Sequence, residues 1–370
     1  MNSKERLLAC LHGQTPDRVP ISTYELVGYN PDNFENKHPS YAGLMALIRE
    51  HTDCMYMTGV GVANARADAC SWETLQTYDD GDQHVTRRVL HAPGRDLTLT
   101  TSRSDDIMTT WTREHLCKNL DDLHAYLRIP WEPGQADFSA LNLAWQRLED
   151  RHGLPMLDMG DPLCEVASLF DMEDFVVLAM TETDAFVAAM DQLHEKYTET
   201  LRRVLTGPVK DCVFRIYGPE YATPPFLPPE LFAKFVTRYD TLYGRMMRDA
   251  GVFPRIHCHG KIARVLEEIR KIDPVLLEPV EPPPDGDITI AQLKRQLPDT
   301  VLCGGLELKY IETADAKFID ALVRDLIAQG KPGGRYIILP TAAPINIPLR
   351  EKTAANYRQF IETALDAGKY

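Results

Sequence analysis

Long apolar runs are missing from this 370-residue chain: nothing approaches the roughly 20 consecutive apolar residues that cross a bilayer, so no membrane-spanning helix is expected. An excess of positive charge is missing too. Lys and Arg number 40 against 54 Asp and Glu, for a net charge of −14, which argues against general nucleic-acid binding and against an anionic membrane surface. The eight cysteines are scattered, with no Cys-x-x-Cys pair, and so are expected as reduced thiols in a cytoplasm and not as a disulfide framework. The opening MNSKERLLACLHGQ lacks the apolar core and cleavage site of a signal peptide and patterns as an amphipathic helix. Repeats, low-complexity tracts and an interdomain linker are absent as well. A single domain over 1–370 is therefore expected, and a composition of 44% hydrophobic and 25% charged residues suits a globular chain with a large core.

What the chain does have is an alternation of short β-type runs with longer helical patterns, the signature of βα units around a parallel sheet. Eight runs qualify: Val19–Ser22, Cys54–Thr58, Leu154–Met159, Cys212–Tyr217, Val252–His257, Val275–Glu278, Val301–Cys303 and Tyr336–Leu339. Amphipathic segments separate most of them; in Pro229–Asp249, for instance, Leu231, Phe235, Tyr239 and Tyr243 recur at near-helical spacing. Eight units predict a (β/α)8 TIM barrel. The rhythm breaks once, between the second and third strands. There His84–Leu90 and Asp96–Ser102 flank the turn Ala92-Pro93-Gly94-Arg95, which predicts an inserted β-hairpin over about 84–104. Such an insertion covers a barrel mouth or builds a subunit interface, so a homodimer enters as an expectation.

In a barrel, chemistry belongs at the C-terminal ends of the strands. The fifth strand runs into Arg255-Ile256-His257-Cys258-His259-Gly260, and alternation points His257 and His259 the same way with Cys258 opposite. The fourth ends in Tyr217-Gly218-Pro219-Glu220, the sixth in Leu277-Glu278-Pro279, and the third in Asp158 with Asp161 and Glu165 beyond. The seventh carries Cys303 before Gly304-Gly305, followed by Glu307. Each has an ordinary reading: Glu220 and Glu278 as salt-bridge or capping residues, Asp158 and Asp161 as helix N-caps, and Cys303 as a small buried apolar residue. Together they place two imidazoles and a carboxylate around one mouth, a ligand set for zinc or a harder divalent metal.

These same residues resemble the uroporphyrinogen decarboxylase-like superfamily. The features that carry the likeness are Arg6-Leu7-Leu8 with Pro16-Asp17-Arg18-Val19-Pro20, and His257-Cys258-His259-Gly260. Leu277-Glu278-Pro279 leading to Gly286-Asp287, Cys303-Gly304-Gly305-Leu306-Glu307 and the final Gly334–Pro340 add to it. The resemblance covers nearly the whole chain and implies a (β/α)8 barrel. It implies either the haem-pathway decarboxylase chemistry or the zinc methyltransferase chemistry that serves corrinoid proteins or coenzyme M. The chain departs from both patterns. No arginine occurs between Arg18 and Arg49 to hold substrate carboxylates, as the decarboxylase does in the loop after its first strand. His259 replaces the cysteine of the methyltransferases' His-x-Cys, and Leu339–Pro344 supplies no further cysteine.

The resulting expectation is a cytoplasmic metal-dependent methyltransferase or demethylase, moving a methyl group between a small methylated compound and a corrinoid protein or thiol. Glu220, His257 and His259 would hold zinc or another divalent metal, with Glu278 as a fourth ligand or general base and Asp158 or Tyr217 orienting substrate. The alternatives are a metal-free decarboxylase or lyase on a small or tetrapyrrole carboxylate, and a non-catalytic ligand-binding barrel.

Overall fold

Seven of the eight expected runs pair side by side as parallel strands in a computed structural model that describes residues 1–370. In chain order the strands are β1 Cys54–Thr58, β2 Gly61–Asn64, β3 Ser71–Asp80, β4 Gln83–Ala92, β5 Arg95–Ser104, β6 Trp111–Glu114 and β7 Pro133–Asp137. They continue with β8 Gly153–Gly160, β9 Val213–Tyr217, β10 Phe253–His257, β11 Leu276–Val280, β12 Val301–Leu306 and β13 Tyr336–Pro340. The main sheet has the order β1-β8-β9-β10-β11-β12-β13, entirely parallel. Its strands are buried almost throughout, as a parallel sheet covered on both faces requires.

The sheet is curled, and its packing shows how. One apolar cluster takes at least one residue from each of the seven strands: Met55, Leu154, Met156, Val213, Phe253, Leu276, Val301, Cys303, Ile337 and Leu339. Leu7, Cys10 and Leu11 of the helix Ser3–Leu11 complete it, so the amphipathic N-terminal helix plugs the end where the strands begin. That helix starts with a capping box, Asn2 accepting from the Glu5 amide while Glu5 reaches back to the Asn2 amide. The connecting helices, among them Thr183–Val204, Arg238–Asp249, Ala316–Gly330 and Glu351–Ala367, pack outside the sheet within a second, larger cluster.

The eighth expected strand departs from expectation. Val19–Ser22 makes one parallel bridge, Ile21 to Ile338, flanked by Ser22 N–H to the Ile338 carbonyl (3.0 Å) and Ile338 N–H to the Pro20 carbonyl (3.1 Å). On its other side the Asp53 N–H reaches the Ile21 carbonyl at 2.7 Å. Pro20 has no N–H to give, so a continuous ladder cannot form, and the segment threads between β13 and β1 without becoming a strand. The architecture is a curled seven-stranded half-barrel with TIM-like α/β connections.

A buried ion network holds this seam. Asp53, with no exposed surface, accepts from Arg6 (2.7 Å), from Arg18 (2.8 Å) and from the Ile21 amide (2.9 Å). Arg6 also forks onto Asp17 at 2.6 and 2.8 Å. One carboxylate thus ties the plugging helix, the threading segment and the entry to β1.

The insertion is larger than a hairpin. The expected pair is present as β4 and β5, in register from Gln83–Ser104 to Ala92–Arg95, but β3 and β6 flank it in a four-stranded antiparallel sheet of order β3-β4-β5-β6. Residues 71–114 therefore bound it instead of about 84–104. β3 escapes a pattern search because every one of its ten residues is exposed, so nothing imposes alternation on Ser71–Asp80. A separate antiparallel pair, β2 with β7, lies beside this sheet in the sequence.

Asp53→Ala takes the fully buried shared carboxylate away from Arg6, which keeps only Asp17, and from the partly buried Arg18. Urea unfolding should show a loss of about 3–5 kcal/mol, the usual cost of removing one partner of a buried pair; a change within experimental error would mean that the seam does not depend on this network.

Candidate functional site

The strand register builds the site in two tiers. Asp158 of β8 stands beside Arg215 of β9, which stands beside Arg255 of β10. One tier higher, Tyr217 of β9 neighbours His257 of β10, which neighbours Glu278 of β11. Residues opposite one another in a ladder share a face, so each tier is a row of side chains.

Glu278 locks the two tiers together. Its carboxylate is fully buried, ion-paired to Arg255, 3.0 Å from His257 Nδ1 and 3.5 Å from Arg215. Burial alone would raise its pKa, but the charge of Arg255, with the hydrogen bond from His257 and the charge of Arg215, holds it well below the usual carboxylate range. It is an ionised anchor. Arg215 reaches Asp158 at 2.6 Å and the Tyr24 hydroxyl at 3.1 Å, and its guanidinium lies 5.5 Å from the Tyr24 ring. Tyr24 has φ +55°, a left-handed conformation that a bulky residue rarely adopts, so its place beside Arg215 and His257 is imposed by its surroundings.

The two histidines stand together at the end of β10, their ring centroids 4.7 Å apart and nearly perpendicular. Cys258 between them is buried, and its N–H donates to the Glu278 carbonyl at 2.7 Å. His259 Nδ1 meets Glu281 at 2.7 Å, and Glu281 also accepts from the Gly260 amide at 2.8 Å. Each imidazole therefore has Nδ1 engaged by its own carboxylate, Glu278 or Glu281. The N–H on Nδ1 that such a bond requires leaves Nε2 as the free lone pair of the neutral ring. Burial works against the charged form of His259, but the hydrogen bond and charge of Glu281, with the charges of Glu220 and Glu278, together outweigh it and raise the His259 pKa.

Glu220 sits in the loop after β9 and accepts from the Gly218 amide at 2.9 Å. Gly218 has φ +131°, and a Cβ there would strike the Asp161 carboxylate, so glycine is required where the loop passes. Asp161 is the N-cap of the helix Pro162–Leu169, accepting from the Cys164 amide at 2.6 Å. Tyr217 lies half-buried above Gly160. Cys303 is buried among the apolar residues inside the curled sheet. No three His, Cys, Asp or Glu side chains converge as a closed metal-binding group, so Glu220 is not gathered onto the histidine pair in this conformation.

Four participants carry no role in the sequence reading: Arg215, Arg255, Tyr24 and Glu281. The arginines had a signal. Each interrupts an otherwise apolar strand, Val-Phe-Arg-Ile-Tyr and Phe-Pro-Arg-Ile-His, and a charge inside a buried strand must be paired. Tyr24 had none, since its conformation is set by tertiary contacts. Glu307 is also more unusual than its place after β12 suggests. Its Oε1 is buried without a partner while Oε2 accepts from Thr341 at 3.1 Å, and burial with the nearby Glu281 charge lifts it to about 7.

The largest cavity, about 870 Å³, lies away from this cluster, between the inserted sheet and the helix Thr183–Val204, with Trp72, Tyr126, Trp131, Glu165 and Lys196 on its walls. Perturbed, converging ionisable groups weigh more than volume in locating chemistry, so the strand-end cluster is the candidate active site.

No family model and no curated protein matches the chain. Among solved structures, a methyltransferase from Methanosarcina mazei matches with 14% identity over 99% of both chains and a TM-score of 0.59. What is shared is the fold. A D-psicose 3-epimerase from Clostridium cellulolyticum H10 (9% identity, 62% of this chain and 83% of that one) and an endoglucanase from Clostridium acetobutylicum (10%, 64% and 80%) align at a TM-score of 0.37 each and carry no weight here.

Two outcomes follow from this geometry. Glu278→Ala removes the counter-charge of buried Arg255 and should destabilise the fold by about 3–5 kcal/mol in denaturant titration; retention of full stability would show that the arginines find other partners. Glu307 is raised in the fold from an ordinary value near 4.5 to about 7, so the folded state binds the extra proton and stability falls as pH rises through that window. Relative to the native chain, Glu307→Gln should therefore gain stability between those two pH values, and a pH-independent difference would remove Glu307 from the titrating groups.

Proposed function

We propose that the chain is an enzyme of metal-dependent methyl transfer, working at the strand-end cluster around His257 and His259. The observation that carries this reading is the carboxylate behind each of two adjacent histidines. Two adjacent imidazoles each have Nδ1 held by a carboxylate, which orients Nε2 and raises its basicity, the arrangement that accompanies metal-ligating histidines. His257 and His259 would hold zinc or another divalent cation, and Glu220 would supply the carboxylate by turning its free oxygen from the loop after β9. In this role Glu278 is a positioning residue, because its charge is already committed to Arg255 and Arg215. Asp158 keeps Arg215 in place and Tyr217 stands beside His257.

A divalent metal held by imidazole and carboxylate acts as a Lewis acid toward an ether oxygen or amine nitrogen, or lowers the pKa of a thiol. The charge around the mouth narrows the substrate. Arg215 and Arg255 are neutralised by Asp158 and Glu278, while Glu220 and Glu281 add negative charge. A neutral methylated ether or a methylated amine suits that field better than an anionic compound. The methyl acceptor would be a corrinoid protein. The M. mazei methyltransferase shares the scaffold, which supports the reading at the level of fold.

A second reading, a metal-free lyase, is favoured by one observation: the His259–Glu281 pair and Glu307 near neutrality could donate protons without a metal. Elemental analysis separates the two. Protein purified without chelator or affinity metal should carry a near-stoichiometric divalent metal that the His257→Ala, His259→Ala double variant loses, with demethylation of methylated amines or ethers to a corrinoid acceptor lost alongside. Failure to take up zinc, manganese or cobalt on reconstitution would overturn the metal reading and leave the lyase.

A further inference from the structure

The inserted sheet ends on an open edge. β3 is ten residues long, exposed throughout, and pairs only with β4; none of its backbone groups is bonded elsewhere in the chain. Folded proteins usually blunt such an edge with lysine, proline, short length or a covering element. Ser71–Asp80 contains neither lysine nor proline, and its one guard is a bulge between Thr74 and Gln76. Large apolar side chains crowd the same edge: Trp72, Leu75 and Tyr78 are each more than 40% exposed. Tyr78, Val85, Ser102 and Trp111 form one row across the four strands, so they share a face, and its two ends are the exposed aromatics.

The acids of the edge are already partnered within the sheet. Glu73 meets His91 at 3.2 Å, Asp79 meets His84 at 2.7 Å, and Asp80 meets Arg113 at 2.7 Å. The edge thus offers little net charge to draw a basic partner or to repel a copy of itself. Register decides the rest. In an antiparallel two-fold pairing centred on Gln76, Glu73 would oppose Asp79, and a centre at Asp79 would set that residue against itself. Centred on Tyr78, the bulge-free Gln76–Asp80 segment pairs Tyr78 with Tyr78, Thr77 with Asp79 and Gln76 with Asp80, with no acid facing an acid.

We propose that β3 is a homodimer interface, in which the edge of a second copy pairs antiparallel about Tyr78 and joins the two insertions into one eight-stranded sheet. A two-fold contact of this kind closes on itself and consumes both edges, so assembly stops at two copies. The proposal stands independently of the reaction assigned to the barrel mouth.

Sedimentation velocity of the full chain over a wide concentration range tests it. A species near twice 41.8 kDa is expected. Thr77→Lys and Tyr78→Lys, each placing a cation near its own copy across the axis, should weaken association roughly tenfold or more. Because both sites are exposed, the variants should keep the native circular dichroism and the melting temperature of the native chain diluted to monomer. Hydrogen exchange should show the Gln76–Asp80 amides protected in the dimer and released on dilution. A chain that stays monomeric, a dimer indifferent to both lysines, or open-ended association would each overturn the interface.

Discussion

The interior of this protein is organised around a carboxylate that cannot leave. Glu278 has no exposed surface, and an isolated charge in that position would be prohibitively costly. It is tolerable only because Arg255 and His257 from the neighbouring β10, and Arg215 from β9 beyond it, converge on it. The requirement runs outward from there. Arg215 needs Asp158 and the Tyr24 hydroxyl; His257, pinned at Nδ1, must present Nε2 to the mouth. A single buried charge therefore fixes the geometry of groups contributed by four consecutive strands and one loop. The cost of that burial is a reason to regard the cluster as more than packing, since apolar residues would fill the same space with less penalty.

A second buried acid does comparable work at the opposite end. Asp53 joins helix Ser3–Leu11, the Pro20-containing segment and β1, where a continuous eighth strand would otherwise supply ladder hydrogen bonds. This accounts physically for the opening Arg6 and Asp17-Arg18 features. They are the cations and counter-ion of a seam, far from any reacting group. Their value to the site is indirect: by holding the segment that leads into Ser22-Thr23-Tyr24, they place Tyr24 over Arg215.

How much of this was legible depended on whether a residue's environment was local. Seven parallel strands were readable because burial on both faces leaves near-continuous apolar runs; alternation suggested the His257/His259 pair, although β10 ends at His257 and His259 lies two residues beyond it. Val19–Ser22 looked like the eighth run by composition, yet Pro20 removes the donor that would continue the ladder. β3 was invisible for the converse reason: an exposed edge imposes no pattern on its sequence. Arg215 and Arg255 were visible as charges inside strands, but their partners were not, since Glu278 and Asp158 lie 23 and 57 residues away in the chain. Glu281 became a partner of His259 only through the turn after β11, which no spacing rule anticipates.

The neutralised arginines bear most directly on the choice between chemistries. A site that binds a carboxylate-rich substrate needs cations with unspent donors facing the ligand. The strands do supply two arginines where the first loop supplies none, so counting charges alone would revive the decarboxylase reading. Their paired donors, however, are directed at Asp158, Glu278, the Tyr24 hydroxyl and the sulfur atoms of Met55 and Met156, and the unpaired Arg255 Nε is buried. Arg255 is almost wholly buried beneath the tier that carries the histidines. What faces the mouth above them is imidazole and carboxylate, a surface that attracts cations and polarises neutral donors. The arginines thus act as foundations for the histidines, and the chemistry they make room for is the one that begins at Nε2.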